Sequence, residues 1–238
     1  YKRQVLICGD RECSIQRRHQ KLIEEAPAPN LPDETRQQMH EVSAQAARAW
    51  GYRSAGTLEF LVDAEGRFFF LELNARLQVE HPVTELVSGL DLVAEQLRVA
   101  QGGVLSTTGV APARGHAIEC RVNAEDPSVD FRPSAGRLTT FRMPGGPGVR
   151  IDTYVENGSA IPPNYDSLIA KLCVWAPDRP RAVRRLARAL DEAEVAGVPT
   201  TIELYRDIVR EERFAQGRYT TAYLTERGDL LPALAGSH

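Results

Sequence analysis

A stretch in which polar and apolar residues alternate most constrains what this chain can fold into. In Leu71-Glu72-Leu73-Asn74-Ala75-Arg76-Leu77-Gln78-Val79-Glu80, every second residue is polar. Side chains of a β-strand alternate between its two faces, so this pattern predicts a strand with one polar and one apolar face. The polar side chains are carboxylates, amides and a guanidinium, which favours a chemical site. Phe68–Phe70, three apolar residues in succession, predicts that the strand begins buried on both faces.

A second carboxylate is expected beside this strand. Thr57–Val62 and Arg67–Leu71 are predicted as two strands, and Asp63–Gly66 between them is a hairpin turn signal. Glu59 lies on the first strand, thirteen residues before Glu72. The hairpin therefore brings both carboxylates toward the same end of the sheet.

These residue types suit a site for Mg²⁺ and small anions. Paired carboxylates such as Glu59 and Glu72 bind Mg²⁺ between themselves and nucleotide phosphates. Asn74 adds a neutral oxygen, and the planar fork of Arg76 matches a small planar oxyanion. Glu80, if it lies near that anion, is a candidate general base.

The rest of the chain divides into two regions of different texture. Helical patterns, including a predicted helix over 32–50, accompany the hairpin in the first region. Predicted strands dominate the second region, with helices over about 179–195 and 201–211. Strands and helices in mixed order indicate an α+β architecture with domains at 1–104 and 115–225.

Composition excludes several classes of function. A net charge of −3 and a pI near 6.0 give no indication of a nucleic-acid partner. No apolar run approaches the roughly 18 residues that cross a bilayer, so no membrane partner is expected. The four cysteines are scattered without a C-x-x-C pair, which favours reduced thiols and a cytoplasmic location.

Two further segments leave alternatives open. Gln16–Lys21 carries three positive charges and one imidazole, typical of either a solvated basic loop or a contact with phosphates and ribose. Gly145–Gly148 resembles a phosphate-binding loop, but no helix is predicted after it. We interpret it as a turn, because the helix terminus that would hold an anion is lacking.

Several motifs together resemble the biotin carboxylases, members of the ATP-grasp superfamily. Phe70-Leu71-Glu72-Leu73-Asn74-Ala75-Arg76-Leu77 resembles a signature that these enzymes share with carbamoyl phosphate synthetases. Typical of the carboxylases alone are Gln78–Glu85, Arg11–Lys21 and His116–Asp126, and Tyr165–Leu172 is a further match. The resemblance extends over nearly the whole chain. It implies an ATP-grasp C-terminal subdomain, an antiparallel sheet with helices, followed by a biotin carboxylase C-terminal α+β domain.

The resemblance also implies a reaction and its residues. These enzymes use MgATP to activate bicarbonate as carboxyphosphate and then carboxylate biotin carried on a partner protein. By this resemblance, Glu59, Glu72 and Asn74 bind Mg²⁺ or Mn²⁺, and Gln16 and His19 contact ATP. Lys21 bridges phosphate and bicarbonate, while bicarbonate is bound by Arg76, Gln78 and the Val79 backbone. Glu80 accepts the proton of bicarbonate, and Arg121 stabilises charge on the biotin ureido group.

The implied partners are a biotin carboxyl carrier protein, a carboxyltransferase component and a second copy of the chain. The final acceptor stays open among acetyl-CoA, propionyl-CoA and pyruvate. The 238 residues do not include the N-terminal domain and the ATP-covering lid of the family. Because lid closure excludes water and completes such sites, we expect this chain alone to hydrolyse ATP poorly or not at all.

Two other functions stay open at the level of sequence. A carbamoyl phosphate synthetase-like domain shares Glu72, Asn74 and Arg76, but it does not predict the motif at Gln78–Glu85. A non-catalytic dimerisation or carrier-docking module fits the short chain. The complete set of acidic, basic and amide residues argues against that module, since an inactive site has no physical need for them.

Overall fold

The computed structural model describes residues 4–227. The first elements in chain order are β1 (Leu6–Ile7), β2 (Glu12–Arg17), β3 (Gln20–Ala26), α1 (Asp33–Ala49), β4 (Thr57–Val62), β5 (Phe68–Asn74), α2 (His81–Ser88), α3 (Leu92–Ala100) and β6 (Gly109–Val110). The later elements are β7 (His116–Asn123), β8 (Glu125–Asp126), β9 (Arg132–Pro133), β10 (Gly136–Arg137), β11 (Thr140–Arg142), β12 (Val149–Thr153), β13 (Ala160–Ile161), β14 (Leu168–Ala176), α4 (Arg179–Glu192), β15 (Glu194–Ala196), α5 (Ile202–Arg210), α6 (Glu212–Ala215) and α7 (Tyr223–Arg227). A short 3₁₀ turn covers Pro127–Val129.

The chain forms two compact units, and both mix helices with strands. The first unit contains the residues up to Glu12 together with Ala26–Arg114. The second contains Cys13–Glu25 and the residues from Gly115 onward. The α+β class expected from the sequence is confirmed. Within residues 4–227, every helix is too short or too polar to cross a bilayer.

The β4–β5 hairpin is the central feature of the first unit. Its turn forms at the predicted residues, with the Gly66 N–H donating to the Asp63 carbonyl at 3.0 Å. Gly66 has φ +79°, a conformation that residues with a Cβ rarely adopt. The antiparallel register pairs Phe60 with Phe70, and a shift of one residue between Glu59 and Phe60 then places Glu59 directly opposite Glu72. Both carboxylates thus lie at the same end of the hairpin, as predicted.

The prediction of one continuous strand through Glu80 is wrong. β5 ends at Asn74, and the chain then turns into α2, where the His81 N–H donates to the Gln78 carbonyl at 3.2 Å. Pro82 lies in the first turn of α2, where its fixed φ is favourable. Because the alternation of faces ends with the strand, Gln78 and Glu80 are buried instead of sharing a solvated polar face.

The prediction that β5 begins buried on both faces is also wrong. Phe69, Phe70 and Leu71 are each more than half exposed. The sheet of β4 and β5 has two strands, so its apolar side chains have few neighbours within the sheet.

The second unit is built on a five-stranded sheet with the order β12-β14-β7-β3-β2. β7 pairs antiparallel with β14, and this register sets Arg121 beside Lys171 and Glu119 beside Cys173. The apolar faces of α4 and α5 pack into the core of this unit, as Leu186 and Tyr205 show by their complete burial.

The basic segment Gln16–Lys21 is part of this sheet, and of the solvated loop considered as one alternative only the turn between the two strands is present. β2 and β3 flank a tight turn at Arg18 and His19, both with positive φ. Ile15 and Leu22 enter the core, which ties the hairpin to the second unit. The structure therefore places Cys13–Glu25 in the second unit, whereas the sequence analysis placed these residues in the domain at 1–104.

One predicted boundary in the second unit shifts, and the short strands β10 and β11 pair with different partners. The expected helix to residue 195 ends at Glu192, because Ala193 is extended and the following residues form β15 against β11.

A buried carboxylate ties the sheet of the second unit to its helices. Glu25 is fully buried and accepts hydrogen bonds from His116, from Tyr219 and from Arg179, whose Nε lies 2.7 Å away. Burial opposes ionisation of Glu25, but hydrogen bonds from His116 and Arg179 outweigh it and hold the pKa of this carboxyl below its ordinary value.

We expect Glu25→Gln to lower the free energy of unfolding by about 3–5 kcal/mol at neutral pH, because it leaves the buried Arg179 without its counter-charge. With its pKa lowered by folding, Glu25 stabilises the protein fully above the ordinary value near 4.5 and loses this effect as the pH falls through the lowered value. Urea unfolding at several pH values measures both effects. As the pH falls through the lowered pKa, the free energy of unfolding of Glu25→Gln should decrease less than that of the unsubstituted protein. Glu194→Gln, at an exposed ion pair, is the matched control; equal losses in both variants would contradict the assignment.

Candidate functional site

Two carboxylates face each other across the β4–β5 hairpin. Like charges directly opposite on neighbouring strands are destabilising, so Glu59 and Glu72 need donors or a cation. Asn74 Nδ2–H donates to Glu59 Oε1 at 3.0 Å and to Glu72 Oε1 at 2.8 Å. Gln78 Nε2–H donates to the same Glu59 oxygen at 2.7 Å. The structure thus brings four of the predicted site residues into direct contact.

The donor set at this pair fits Mg²⁺ or Mn²⁺. Because both carboxylate oxygens lie within 3.0 Å of one Asn74 nitrogen, they converge on a single point. Among the described residues, no three His, Cys, Asp or Glu side chains form a metal cage. Mg²⁺ in nucleotide sites is commonly bound by one or two carboxylates plus phosphate oxygens and water, and the pair meets this need.

Arg76 is exposed and contacts the same cluster. Its Nη2 lies 3.4 Å from Asn74 Oδ1 and its Nη1 3.3 Å from the Leu77 carbonyl. A guanidinium only donates, so the Asn74 amide presents its oxygen to Arg76 and its NH₂ group to the carboxylates. The amide must rotate before its oxygen can contribute to a metal shell.

Gln78 and Glu80 lie beneath this surface. They are only 6% and 2% exposed, and Val79 between them is half-buried. A carboxylate as buried as Glu80 requires compensating charge or hydrogen bonds. Arg11 Nη2 lies 3.9 Å from Glu80 Oε1 and provides a positive charge there.

The other predicted residues belong to the second unit. Gln16 lies on β2, Lys21 on β3 and Arg121 on β7, while His19 occupies the exposed turn after β2. The neighbouring Arg17 and Arg18 both pair with Asp130, whose pKa their hydrogen bonds and charges lower. The basic segment is therefore partly neutralised within its own unit.

Arg121 is held firmly in the second unit. Its Nε donates to the fully buried Glu24 at 2.6 Å. Its backbone carbonyl accepts hydrogen bonds from Thr201 Oγ1 at 3.0 Å and from the Tyr205 hydroxyl at 2.5 Å. A guanidinium fixed in this way has a defined direction before any ligand binds.

A second buried carboxyl, Glu119, lies near this pair. Burial, and then the negative charge of Glu24, raise the pKa of Glu119 well above its ordinary value, while Lys171 acts in the opposite direction. The Cys173 thiol donates to Glu119 Oε2 at 3.4 Å. Glu119 and Glu24 are thus electrostatically linked beneath Arg121.

Sequence reasoning missed Arg11 and Glu24 as supports of the site. The adjacent Glu24 and Glu25 follow the apolar Leu22-Ile23 and precede Ala26, and acidic residues in an apolar strand indicate paired, buried carboxylates. This signal was available for Glu24. Arg11 is the first residue of the motif Arg11–Lys21, but the sequence did not indicate its contacts, because they lie 46 to 73 residues away in the chain.

Comparison with protein families assigns each half of the chain. Residues 2–108 match the ATP-binding domain of the carbamoyl-phosphate synthase L chain, and residues 119–226 match the biotin carboxylase C-terminal domain. Together with the facing carboxylates, these matches define the class as an ATP-grasp protein.

Curated relatives narrow the class further. The chain is 52% identical over 223 residues to a biotin carboxylase of Nostoc, an alignment that covers 93% of this chain and 50% of that protein. It is also 52% identical over 223 residues to one of the subunits of pyruvate carboxylase from Methanothermobacter thermautotrophicus, covering 93% of this chain and 45% of the relative. The chain is thus similar to biotin carboxylases over nearly all of its own length, and it spans about half the length of the curated relatives it matches.

A solved structure is similar over the same extent. The biotin carboxylase domain dimer of Hydrogenobacter thermophilus 2-oxoglutarate carboxylase, in complex with MgADP, ADP and bicarbonate, aligns with a TM-score of 0.91 and 46% identity. The alignment covers 94% of this chain and 50% of that one.

We expect Glu24→Gln to move the pKa of Glu119 down toward its ordinary value, because it removes a nearby negative charge. The pKa should stay above that value, since burial is the larger cause of the shift. Titration of the Glu119 carboxyl by ¹³C NMR on glutamate-labelled protein measures this change. Glu192→Gln, on the surface of α4, is the control and should leave it unchanged. An unaltered titration in Glu24→Gln would refute the electrostatic link.

Proposed function

We propose that this chain supplies part of a biotin carboxylase, an ATP-dependent ligase that activates bicarbonate as carboxyphosphate and carboxylates biotin on a carrier protein. The observation that carries the proposal is the carboxylate pair Glu59 and Glu72, bridged by Asn74 and contacted by the buried Gln78, with the buried Glu80 two residues further along the chain. Such a cluster pairs a cation site with an amide donor and a base.

The carboxylate pair is the metal and nucleotide end of the proposed site. Glu59 and Glu72, completed by Asn74, hold Mg²⁺ or Mn²⁺, which when bound neutralises charge on the phosphates of ATP. Gln16 and His19 contact the nucleotide. These two assignments rest on the motif Gln16–Lys21, which is typical of the family.

The residues that follow Asn74 in the chain bind and activate bicarbonate. Arg76 offers a planar pair of donors, and Gln78 and the Val79 N–H add two more that suit the flat anion. Glu80 accepts the proton that bicarbonate loses as its oxygen bonds to the γ-phosphorus of ATP and ADP leaves. Lys21 bridges the phosphate and bicarbonate and offsets their combined negative charge.

Arg121 is the residue that acts on biotin. Arg121 stabilises the negative charge that develops on the ureido oxygen of biotin when its nitrogen loses a proton. The close contact with Glu24 supports this role, because a guanidinium fixed in direction stabilises charge without reorganising at the moment of reaction.

The partners follow from this reaction. A biotin carboxyl carrier protein presents the biotin, a carboxyltransferase component passes the carboxyl group on, and a second copy of the chain forms a homodimer. The similar structure from Hydrogenobacter thermophilus is described as a domain dimer, which supports the last point. We propose an acetyl-CoA or propionyl-CoA carboxylase in the cytoplasm; the relative from Methanothermobacter thermautotrophicus, named for pyruvate carboxylase, marks pyruvate as the other acceptor to test.

We expect Glu72→Gln, introduced into the complete enzyme that contains these residues, to lower biotin-dependent ADP release at least about 100-fold. The loss follows because one metal-binding carboxylate becomes a neutral amide at the point where phosphate charge must be stabilised. The matched control is Glu65→Gln in the hairpin turn, where the side chain is exposed and pairs with Arg67. Normal activity of Glu72→Gln would exclude the metal assignment.

The 238-residue chain assayed alone should release ADP slowly or not at all with bicarbonate and free biotin present. The reason is that closure of a covering lid excludes water and completes sites of this kind. Turnover at a rate normal for an enzyme would disprove this expectation. In the complete enzyme, stimulation of ADP release by ammonia instead of biotin would replace the proposal with a carbamoyl phosphate synthetase-like reaction.

A further inference from the structure

Arg11 joins several parts of the first unit near the carboxylate pair. It precedes β2, its side chain is 14% exposed, and its guanidinium donates to three oxygens. The acceptors are Thr84 Oγ1 at 3.0 Å, Thr57 Oγ1 at 3.1 Å and Gln78 Oε1 at 2.5 Å. Arg11 thereby ties β4 and α2 to the loop that carries Gln78.

The contact with Arg11 fixes which end of the Gln78 amide faces the site. A guanidinium has no acceptor, so only the amide oxygen of Gln78 can face it. The amide nitrogen then points the other way and donates to Glu59 Oε1 at 2.7 Å. Since that NH₂ group has two hydrogens, the second is available to an anion, whereas a flipped amide would present a repelling oxygen.

The same guanidinium also compensates a buried charge. Arg11 Nη2 lies 3.9 Å from Glu80 Oε1, and Glu80 is nearly inaccessible to solvent. An ionised carboxylate in such a place is stable only beside positive charge or several donors. Arg11 therefore acts on the amide that binds the anion and on the carboxylate that takes its proton.

We propose that Arg11 is a positioning residue of the bicarbonate site, which orients the Gln78 amide as a donor and places a positive charge beside the buried Glu80. Arg11 itself contacts no substrate in this scheme. The inference rests on the proposed function for the identity of the anion, but the orientation of Gln78 is a property of the 238-residue chain.

The test compares the side-chain amide signals of Gln78 by ¹⁵N NMR in the 238-residue chain without substrate. Arg11→Lys keeps the charge but removes the fork, so hydrogen exchange at Gln78 Nε2 should rise at least about tenfold, as expected for loss of a hydrogen bond to a charged group. The control is Arg36→Lys, because Arg36 also joins several groups of the first unit through Asp10, Asp33 and the Ala28 carbonyl. This control should leave the Gln78 signals unchanged.

A second variant keeps the test decisive if Arg11→Lys does not fold. Thr84→Val removes one acceptor of Arg11 without touching Gln78 and should increase exchange in the same direction by a smaller factor. Unchanged Gln78 signals in the folded variants would overturn the proposal. Equal changes in Arg36→Lys would also overturn it, because they would show a general loss of structure.

A kinetic measurement separates this inference from the proposed function. In the complete enzyme, Arg11→Lys should raise the KM for bicarbonate at least about tenfold while the KM for ATP stays nearly constant, and Arg36→Lys should change neither. If no form of the enzyme shows bicarbonate-dependent ADP release, the proposed function fails and the exchange at Gln78 alone decides the positioning role. An unchanged KM for bicarbonate in an active Arg11→Lys enzyme would overturn that role.

Discussion

The repulsion between two carboxylates organises the first unit around the β4–β5 hairpin. The register that the turn sets would place Glu59 opposite Leu71, but a shift of one residue next to Glu59 leaves Glu59 and Glu72 directly opposite each other. Such a pair is unfavourable by itself, and the chain compensates with two amides that donate into it. The arrangement costs stability and provides a place where a cation is stabilised, which is the physical basis for a metal site.

Arginines then decide how those amides point. Arg76 contacts the Asn74 oxygen and Arg11 contacts the Gln78 oxygen, so both NH₂ groups face the carboxylates. The two arginines differ in exposure, since Arg76 is exposed and Arg11 is mostly buried. The exposed arginine is accessible to a ligand, and the buried one is suited to hold its neighbours.

The second unit uses buried carboxylates in a different way. Glu24 and Glu25 are neighbours on β3, and both are fully buried. Because side chains alternate along a strand, they face opposite sides of the sheet. Glu24 meets Arg121, whereas Glu25 meets His116 and Arg179. Glu24 thus supports the candidate site residue Arg121 on one side of the sheet, and Glu25 joins the sheet to α4 on the other.

The sequence by itself determined the α+β class, the hairpin with its turn, and the approach of Glu59 and Glu72 to the same end of the sheet, because turn chemistry and strand periodicity are local. The direct pairing of these two carboxylates depends on the register shift next to Glu59, which the sequence pattern does not indicate. Only the tertiary structure decided that β5 ends at Asn74 and that Gln78 and Glu80 turn inward, since the turn into α2 breaks the alternation. It also decided the place of the basic segment, which joins a sheet whose other strands lie about 90 or more residues further along the chain. The contacts of Arg11 and of Arg121 with their partners were likewise decided only by the tertiary structure. Hydrogen bonds between residues so distant in sequence leave no periodic pattern, and only packing brings their atoms together.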